Sequence, residues 1–421
     1  MKTMIGATVA LLIGAAAQLA WAAEPDGLIL PPGFHASVVH DGVGAGARHI
    51  AVRPNGDLYI STTPPKDGPQ GIVALHLDAN HKAIATERFG TVNGGTAIKF
   101  HDGALYAATS TTLYRFRFAG SALVPNAAPE VVLDGTPTSG HNNPGLAFDG
   151  KGYLYLAVPA PGNSCGDPAT PKGQKPVGMT PCPQLNNRGG VWRFDAAKTG
   201  QKFPADGEMI ATGIRNMTAL DWSPAMNGLY GVMQDRNGPA HPPGFTGAGA
   251  DGDTIAEEMH RMEKGANLGW PYSYYDINLK KRVASSEYGG DGQNAPKEKY
   301  QDPVAAFPAH QSPLDLTFYD GRQFPATYRG GAFVVFHGGS GADMPTGHHG
   351  YNVVFLPFDR SGKPGAPITF LDGVAGPDAS YRNPAKALFR PTGAAVAPDG
   401  SLYVVDDKKG RVWRIFYDGH N

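Results

Sequence analysis

Six short segments of the sequence share one pattern, a glycine-containing turn followed at once by an apolar stretch that carries an aromatic residue. They lie at residues 55–60, 102–107, 150–155, 227–230, 329–334 and 399–404. Such turns favour tight hairpins, because glycine tolerates positive φ, and the apolar stretches suit a half-buried pleated surface. A strand unit that recurs at intervals of roughly 40–50 residues is typical of propeller blades. The sequence therefore predicts an all-β fold, a six-bladed β-propeller around a central channel.

The repeats are unevenly spaced, so we expect long inter-strand loops. Three insertions are expected, at residues 159–187, 237–253 and 272–301. Long loops on a rigid scaffold often carry binding residues. The apolar stretch at residues 34–39 is expected to pair with the last strand, which ends at Phe416, because this closure removes an exposed strand edge.

The first 22 residues have the pattern of a secretory signal peptide. Lys2 precedes an apolar run that starts at Met4, and small residues at Ala20, Ala22 and Ala23 suit cleavage. We therefore expect residues 1–22 to be a signal peptide and residues 23–421 to form one propeller domain in a periplasmic or secreted protein. The alternative is an uncleaved membrane anchor, for which the run is short; no later stretch predicts a stable membrane span.

The net charge bears on the binding partners, and the two cysteines bear on a possible disulfide. The formal net charge is −1, which gives no indication of a nucleic-acid partner. Cys165 and Cys182 lie in the same insertion. In an exported protein a disulfide between them is the favoured interpretation, and a metal or redox pair is the weaker one, since no further ligands lie close by in sequence.

We expect each of the six segments to be the strand of its blade nearest the channel, and residues that open these strands should meet at the channel mouth. Moving back from each repeat gives Arg48, Gly94, Gly95, His141, Arg215, Asn216, His310 and Arg390. Taken singly, each histidine or arginine is more often structural, but their recurrence at one position in several blades favours a chemical site. Arginine donors suit carboxylates, and a histidine beside arginines stays neutral and able to act as a base. The sequence therefore predicts a planar, anionic ligand at the mouth.

Several motifs, in their order along the chain, resemble the soluble quinoprotein sugar dehydrogenases, the aldose sugar dehydrogenase and sorbosone dehydrogenase family, which use pyrroloquinoline quinone (PQQ). The resemblance rests on Gly-Ile-Arg-Asn at residues 213–216, on Gly-Ala-Asn-Leu-Gly-Trp-Pro at 265–271, and on segments 309–314, 333–338 and 390–393, the last leading to Asp406 and Asp407. It runs over nearly all of the chain after residue 22. It implies a six-bladed propeller with PQQ and calcium at the channel mouth.

The resemblance also implies roles for individual positions. His141 resembles the general base, and Arg215 with Asn216 resembles the pair that contacts the quinone, where Arg215 would stabilise charge during catalysis. Arg390 resembles an arginine that meets a PQQ carboxylate, and His337 lies near the position of a PQQ-binding lysine in some relatives. Together with the predicted ring, the cofactor-binding set is Arg48, Arg215, Asn216, His310, His337 and Arg390.

The calcium ligands are expected in the fourth repeat. Relatives hold calcium with glycine and proline carbonyls in a His-Gly-Pro segment that precedes Gly-Gly-Asp-Glu. Here Gly238 and Pro239 match the carbonyl pair and are the predicted metal ligands. The histidine of that segment is replaced, and Glu257 and Glu258 stand where the family pattern has Asp-Glu.

The predicted activity is oxidation of a sugar (an aldose, sorbosone or a related substrate), with electrons passed to an external carrier such as a cytochrome or a quinone. The chain has no Cys-x-x-Cys-His motif for its own haem. Two alternatives remain open. One is a calcium-dependent lactonase, which would need carboxylates and asparagines at the axis, and the other is a binding propeller without a cofactor.

Overall fold

The described residues fold almost entirely into β-strands. The computed structural model describes residues 22–24, 27–44, 46–63, 71–90, 97–138, 140–171, 174, 177–236, 245–246, 253–339 and 349–420. Six sheets of four or five strands form the blades, and the innermost strands of neighbouring blades pack against each other around a closed ring. The predicted six-bladed β-propeller is therefore confirmed.

Each blade begins with its innermost strand at the channel and continues strand by strand to the outer edge of its sheet. Blades 1 and 2 are Ile50–Val52, Leu58–Ser61, Ile72–Leu77 and Ala83–Phe89, then Ile98–His101, Ala104–Ala108, Thr112–Arg117, Glu130–Asp134 and Gln201–Lys202. Blades 3 and 4 are Gly145–Phe148, Tyr153–Val158, Gly190–Asp195, Glu208–Thr212 and Ala266–Asn267, then Asn216–Ser223, Gly228–Gln234, Glu257–Met262 and Ala305–Phe307. Blades 5 and 6 are Pro313–Phe318, Ala332–Phe336, Asn352–Leu356 and Ile368–Leu371, then Pro391–Val396, Leu402–Asp406, Val412–Tyr417 and Phe34–His40.

A few short elements lie outside the blades. Two antiparallel pairs join Ala22–Ala23 to Ile29–Leu30 and Ser273–Asp276 to Lys281–Ala284. In the part of the chain that the structure describes, the helical elements are 3₁₀ turns at Pro183–Asn186, Ser286–Tyr288, Ala326–Tyr328 and Ala379–Tyr381. None of the helices in these described ranges is long and apolar enough to cross a membrane. The predicted signal peptide lies almost wholly outside them and stays a prediction.

The ring closes as expected, since Phe34–His40 pairs antiparallel with Val412–Tyr417. One detail differs from the sequence expectation: the six recognised segments form the second strand of each blade, not the first. The innermost strands do not share the pattern, and in two of them crowding at the axis favours glycine. A β-carbon on Gly145 would lie 2.4 Å from the Met217 carbonyl oxygen, and one on Gly393 equally close to that of Arg48.

Each interface between neighbouring blades has its own apolar core. The strand Leu402–Asp406 shows how one strand serves two of them, because successive side chains point to opposite faces of a sheet. Leu402 and Val404 pack toward blade 5, whereas Tyr403 and Val405 pack toward blade 1. These cores hold the blades rigidly around the channel, whose end at the starts of the innermost strands we call the mouth.

The predicted disulfide is present between Cys165 and Cys182, whose Cα atoms lie 6.0 Å apart. It closes the insertion between the second and third strands of blade 3, which we call the disulfide loop (residues 159–189). The buried bridge packs against Trp270 and Tyr272 of the next insertion. The two insertions therefore support each other beside the mouth.

Replacing both cysteines with serine should lower the free energy of unfolding by about 3 kcal/mol, because the bridge closes a loop of 17 residues in the unfolded chain. Chemical denaturation of the double variant and of the wild type, with and without reductant, measures the difference. Reductant should shift the wild type alone. A double variant as stable as the oxidised wild type would contradict the prediction.

Candidate active site at the channel mouth

The propeller gathers the predicted residues at one end of the channel. Arg48 and His141 precede the innermost strands of blades 1 and 3, Arg215 and Asn216 open that of blade 4, and His310 and Arg390 precede those of blades 5 and 6. His337 follows Ala332–Phe336, which ends at the mouth because it runs antiparallel to Pro313–Phe318. Gly94, Gly95, Gly238 and Pro239 lie outside the described residues.

The backbone fixes the His141 ring in one tautomer. Its Nδ1 lies 3.0 Å from the carbonyl oxygen of Ala160, so Nδ1 carries the proton and donates it, and Nε2 is left as an acceptor. Burial, together with the nearby positive charge of Arg215, lowers the pKa of His141 below the usual histidine value. His141 is therefore neutral near pH 7, with Nε2 able to take a proton.

Arg215 is a buried cation held by neutral oxygens. Its Nε donates to Oδ1 of Asn163 at 3.0 Å, and its Nη1 donates to the Gln234 carbonyl at 3.2 Å. Burial lowers the pKa of Arg215 to about 10, although the charges of Asp235 and Glu257 act in the opposite direction. No carboxylate of the described residues lies within 4.0 Å of its guanidinium nitrogens. Its charge would therefore be stabilised by an anionic ligand.

Asn216 offers an unused acceptor beside Arg215. Its Nδ2 donates to Oε1 of Gln234 at 2.9 Å, and Gln234 Nε2 in turn donates to the Ser312 hydroxyl at 3.2 Å. The Asn216 Oδ1 atom is buried and has no hydrogen-bond partner in the described structure. Because an unsatisfied buried acceptor is costly, this oxygen fits a ligand that carries a donor.

Arg390 is the second arginine bound to neutral groups. Its Nη2 donates to the Gly338 carbonyl at 2.8 Å, and its guanidinium lies 5.5 Å from the centre of the Tyr351 ring. Burial lowers the pKa of Arg390. Like Arg215, it has no carboxylate within ion-pair distance among the described residues.

His337 is engaged by a carboxylate that sequence reasoning did not pair with it. Its Nε2 donates to Oδ2 of Asp407 at 2.9 Å, and Arg48 Nη1 lies 4.0 Å from the same oxygen. Burial lowers the pKa of His337 to about 4. Burial acts to raise the pKa of Asp407, but the hydrogen bond from His337 and its neighbouring positive charges lower it overall. A neutral imidazole thus donates to an ionised carboxylate.

This pair predicts a pH dependence of stability. His337 has a lower pKa in the folded protein than in the unfolded chain, so the unfolded chain binds more protons between pH 6.5 and pH 4. Stability should therefore fall as the pH drops through this window, by up to about 1.4 kcal/mol per pH unit for this one group. Denaturation of His337→Gln and wild type across this window tests it, and an unchanged slope in the variant would argue against the assignment.

The turn that carries His310 is held tightly. His310 and Ser312 have φ of 61° and 54°, values unusual for residues other than glycine. The backbone N–H groups of His337 and Gly338 donate to the carbonyls of Ser312 and Gln311 at 3.1 and 2.9 Å. The His310 ring bonds the backbone of Arg236 and lies 4.0 Å from Asp253, and burial lowers its pKa. His310 therefore joins the loops of blades 4 and 5.

Asp235 and Glu257 are buried carboxyl groups that precede and follow the predicted calcium segment in the sequence. Glu257 accepts hydrogen bonds from the backbone N–H groups of Asp235 at 2.9 Å and Ser312 at 3.2 Å. Burial raises the pKa of both Asp235 and Glu257. Among the described residues no group of three or more His, Cys, Asp or Glu side chains is placed to hold a metal. The predicted ligands Gly238 and Pro239 are outside the described residues, so their role stays a prediction.

The structure adds residues that sequence reasoning did not select. Asn163 comes from the disulfide loop, Gln234 ends the second strand of blade 4, and Asp407 follows the second strand of blade 6. Asp407 stands at the end of a motif that carried the family resemblance, so a signal for it was present. For Asn163 the only signal was its place in a long insertion.

Comparison with known proteins agrees with this architecture. The TrAA12-like family model matches residues 28–418. The chain belongs to the TrAA12-like family. Over 216 residues it is 27% identical to an uncharacterised protein of Borreliella burgdorferi, a match that covers 50% of this chain and 49% of that protein. The chain thus spans about half the length of the curated relative it matches.

Solved structures with the same fold include quinoprotein sugar dehydrogenases. The calcium structure of a Trichoderma reesei AA12 enzyme is 20% identical, with a TM-score of 0.72 over 93% of this chain and 97% of that one. The holo PQQ domain of Coprinopsis cinerea pyranose dehydrogenase is 18% identical, with a TM-score of 0.70 over 92% and 97%. The apo soluble aldose sugar dehydrogenase of Escherichia coli is 16% identical, with a TM-score of 0.57 over 91% and 100%. The family resemblance of the motifs is confirmed, and at these identities the structural likeness shows the fold.

Proposed function

We propose that this TrAA12-like protein is a PQQ-dependent dehydrogenase that oxidises a sugar at the channel mouth. The observation that carries the proposal is that two buried arginines and a neutral histidine lie at the same channel mouth. Arg215 and Arg390 bind neutral oxygens, and His141 presents a deprotonated Nε2 beside Arg215. The similar structures from C. cinerea and T. reesei add support, because they are a PQQ domain and a carbohydrate-active enzyme.

PQQ suits the donors that the mouth presents. It carries three carboxylates and two quinone oxygens, and arginine forks are well matched to planar carboxylates. The carbonyl of Asn216 that lacks a partner suits a ring N–H of the cofactor. In this proposal Arg215, Asn216 and Arg390 hold the cofactor. Arg48 and His337 support the site through Asp407, which both contact. His310 supports it by joining the loops of blades 4 and 5.

Individual residues of the chain have separate roles in the reaction. When bound, PQQ supplies the acceptor for the two electrons that leave the sugar. The Nε2 atom of His141 takes the hydroxyl proton of the sugar, while the Ala160 carbonyl keeps the ring oriented. Arg215 lies near His141, and its positive charge stabilises the negative charge that develops during the reaction. Electrons would then leave to an external acceptor such as a cytochrome or a quinone.

Calcium is the second proposed cofactor, held by the carbonyls of Gly238 and Pro239. Its support is the family pattern and the calcium structure of the T. reesei enzyme. The roles given above to His141, Arg215 and Arg390 do not depend on it. We also propose that the protein works in the periplasm or outside the cell, because its disulfide suits an oxidising compartment.

The proposal is tested by loading the purified apoprotein with PQQ, with and without calcium. We expect a bound-quinone absorption spectrum and dye reduction with members of a panel of aldoses and sorbosone. The same protein without PQQ serves as the control. Binding of PQQ with no oxidation of any sugar would contradict the sugar dehydrogenase assignment, and no binding of PQQ at all would favour the cofactor-free propeller.

A further inference from the structure

A pocket of about 620 Å³ lies between the disulfide loop and the insertion that follows Trp270. Its walls include the side chains of Tyr272, Tyr288 and Tyr300, and its rim carries Asn294, Lys297 and Glu298. We call this the tyrosine pocket. Its volume falls within the range of pockets that hold small organic ligands.

Backbone groups outside the pocket wall engage the hydroxyls of Tyr272 and Tyr288. The Tyr272 hydroxyl accepts a hydrogen bond from the backbone N–H of Cys182 at 2.7 Å, and the Tyr288 hydroxyl lies 3.4 Å from the Met179 carbonyl. The rings of Tyr272 and Tyr288 pack edge to face, with centres 4.8 Å apart. This arrangement gives the pocket a rigid aromatic wall.

The charges around the pocket point to a neutral, hydroxyl-rich ligand. Glu287 is buried and forms an ion pair with Arg236 at 2.7 Å, so its charge is already matched. Lys297 and Glu298 on the exposed rim are of opposite sign, and Asn294 adds an amide with both donors and an acceptor. Among the described residues no arginine lines the pocket, so they do not supply the fork that suits phosphate or carboxylate. Aromatic rings with polar rim groups match a pyranose, which has apolar C–H faces and hydroxyl edges.

Two sets of contacts join the loops around the tyrosine pocket to residues at the mouth. Asn163 of the disulfide loop accepts a hydrogen bond from Arg215 with its side chain and one from Trp270 with its backbone. On the other side, Glu287 pairs with Arg236, whose backbone also bonds the His310 ring. The pocket is therefore built from the same loops that position the candidate active site.

We propose that the tyrosine pocket binds a second saccharide unit, so that the substrate is an oligosaccharide chain end rather than a free monosaccharide. This inference rests on the proposed function, because it places the oxidised unit at the mouth. The tyrosine rings of the wall would pack against the extra unit, and the polar groups of the rim would form hydrogen bonds with its hydroxyls.

The test compares monosaccharides with their dimers by calorimetry on the full-length, disulfide-intact protein without PQQ, where no turnover occurs. The pairs are glucose with cellobiose and maltose, xylose with xylobiose, and mannose with mannobiose. For at least one pair, the dimer should bind about tenfold more tightly than the monomer. Tyr288→Ala should remove this gain, and the exposed double variant Asn294→Ala/Lys297→Ala should reduce it without a risk to folding. Tyr153→Ala, an exposed tyrosine elsewhere on blade 3, should keep it.

The inference is overturned if no dimer binds more tightly than its monomer, or if the gain survives in both pocket variants. Dye reduction by the same preparations with PQQ separates the two proposals. Oxidation of monosaccharides without any gain for dimers would overturn the pocket inference alone. A gain that the pocket variants abolish, in a protein that oxidises no sugar, would support the pocket and overturn the dehydrogenase. With an active enzyme, the pocket variants should raise KM for the dimer and leave kcat unchanged.

Discussion

Replacing His141 with alanine should lower kcat by about 10²- to 10⁴-fold and leave PQQ binding intact. The variant loses the Nε2 atom that would take the sugar's proton, while Arg215 and Arg390 keep their positions because neither bonds the His141 side chain. Stopped-flow and steady-state dye reduction with saturating PQQ would measure the loss, and a PQQ titration of the apo-variant would measure retention of the cofactor.

A matched control is available at the other end of the channel. His101 ends the innermost strand of blade 2, and its ring stacks on Phe148 with centres 4.2 Å apart. His101→Ala removes a partly buried histidine without touching the mouth, so it should keep wild-type kcat. Wild-type turnover in His141→Ala would falsify the base assignment.

The same residue predicts the acid side of the pH profile. The base must be neutral to act, and the pKa of His141 lies below 6.5 because of burial and the charge of Arg215. Activity should therefore fall only as the pH drops below this lowered pKa. In Arg215→Ala the nearby positive charge is gone, so the fall should begin at a higher pH. This shift is a readout that loss of structure alone would not produce.

Replacing Arg215 or Arg390 with alanine should weaken PQQ binding by roughly ten- to a hundredfold each. A charge-assisted hydrogen bond to a carboxylate contributes about 1.5–3 kcal/mol, and here no carboxylate of the described residues lies within ion-pair distance of either guanidinium to replace the ligand. Lysine should rescue each site only in part, because an ammonium cannot present the planar fork. Titration of each apo-variant with PQQ at fixed calcium measures the effect.

Arg193→Ala serves as the control for these variants. Arg193 lies on the third strand of blade 3 and forms an ion pair with Glu208, away from the channel. Its loss should leave PQQ affinity unchanged. If Arg215→Ala and Arg390→Ala also bind PQQ like the wild type, the mouth is not the cofactor site. That result would favour the cofactor-free propeller or the lactonase.

Much of the fold could be predicted because it depends on local chemistry repeated six times. Each Gly-Leu-Tyr-like segment specifies a turn and an apolar strand from neighbouring residues alone. The position of the second strand within each blade was assigned wrongly, since the true innermost strands lack the shared turn-and-aromatic pattern, and two of them carry glycine at crowded positions, Gly145 and Gly393.

The sequence by itself determined the number of blades, the closure by residues 34–39, the disulfide partners and the set of residues at the strand starts. Tertiary structure alone decided how those residues are paired. His337 meets Asp407 across 70 positions, and Arg215 meets Asn163 across 52. These contacts depend on how loops from different blades converge, and a hydrogen bond needs its atoms within a few tenths of an ångström. Strand patterns carry no information at that precision, because they record which face a residue occupies and not which side chain it meets.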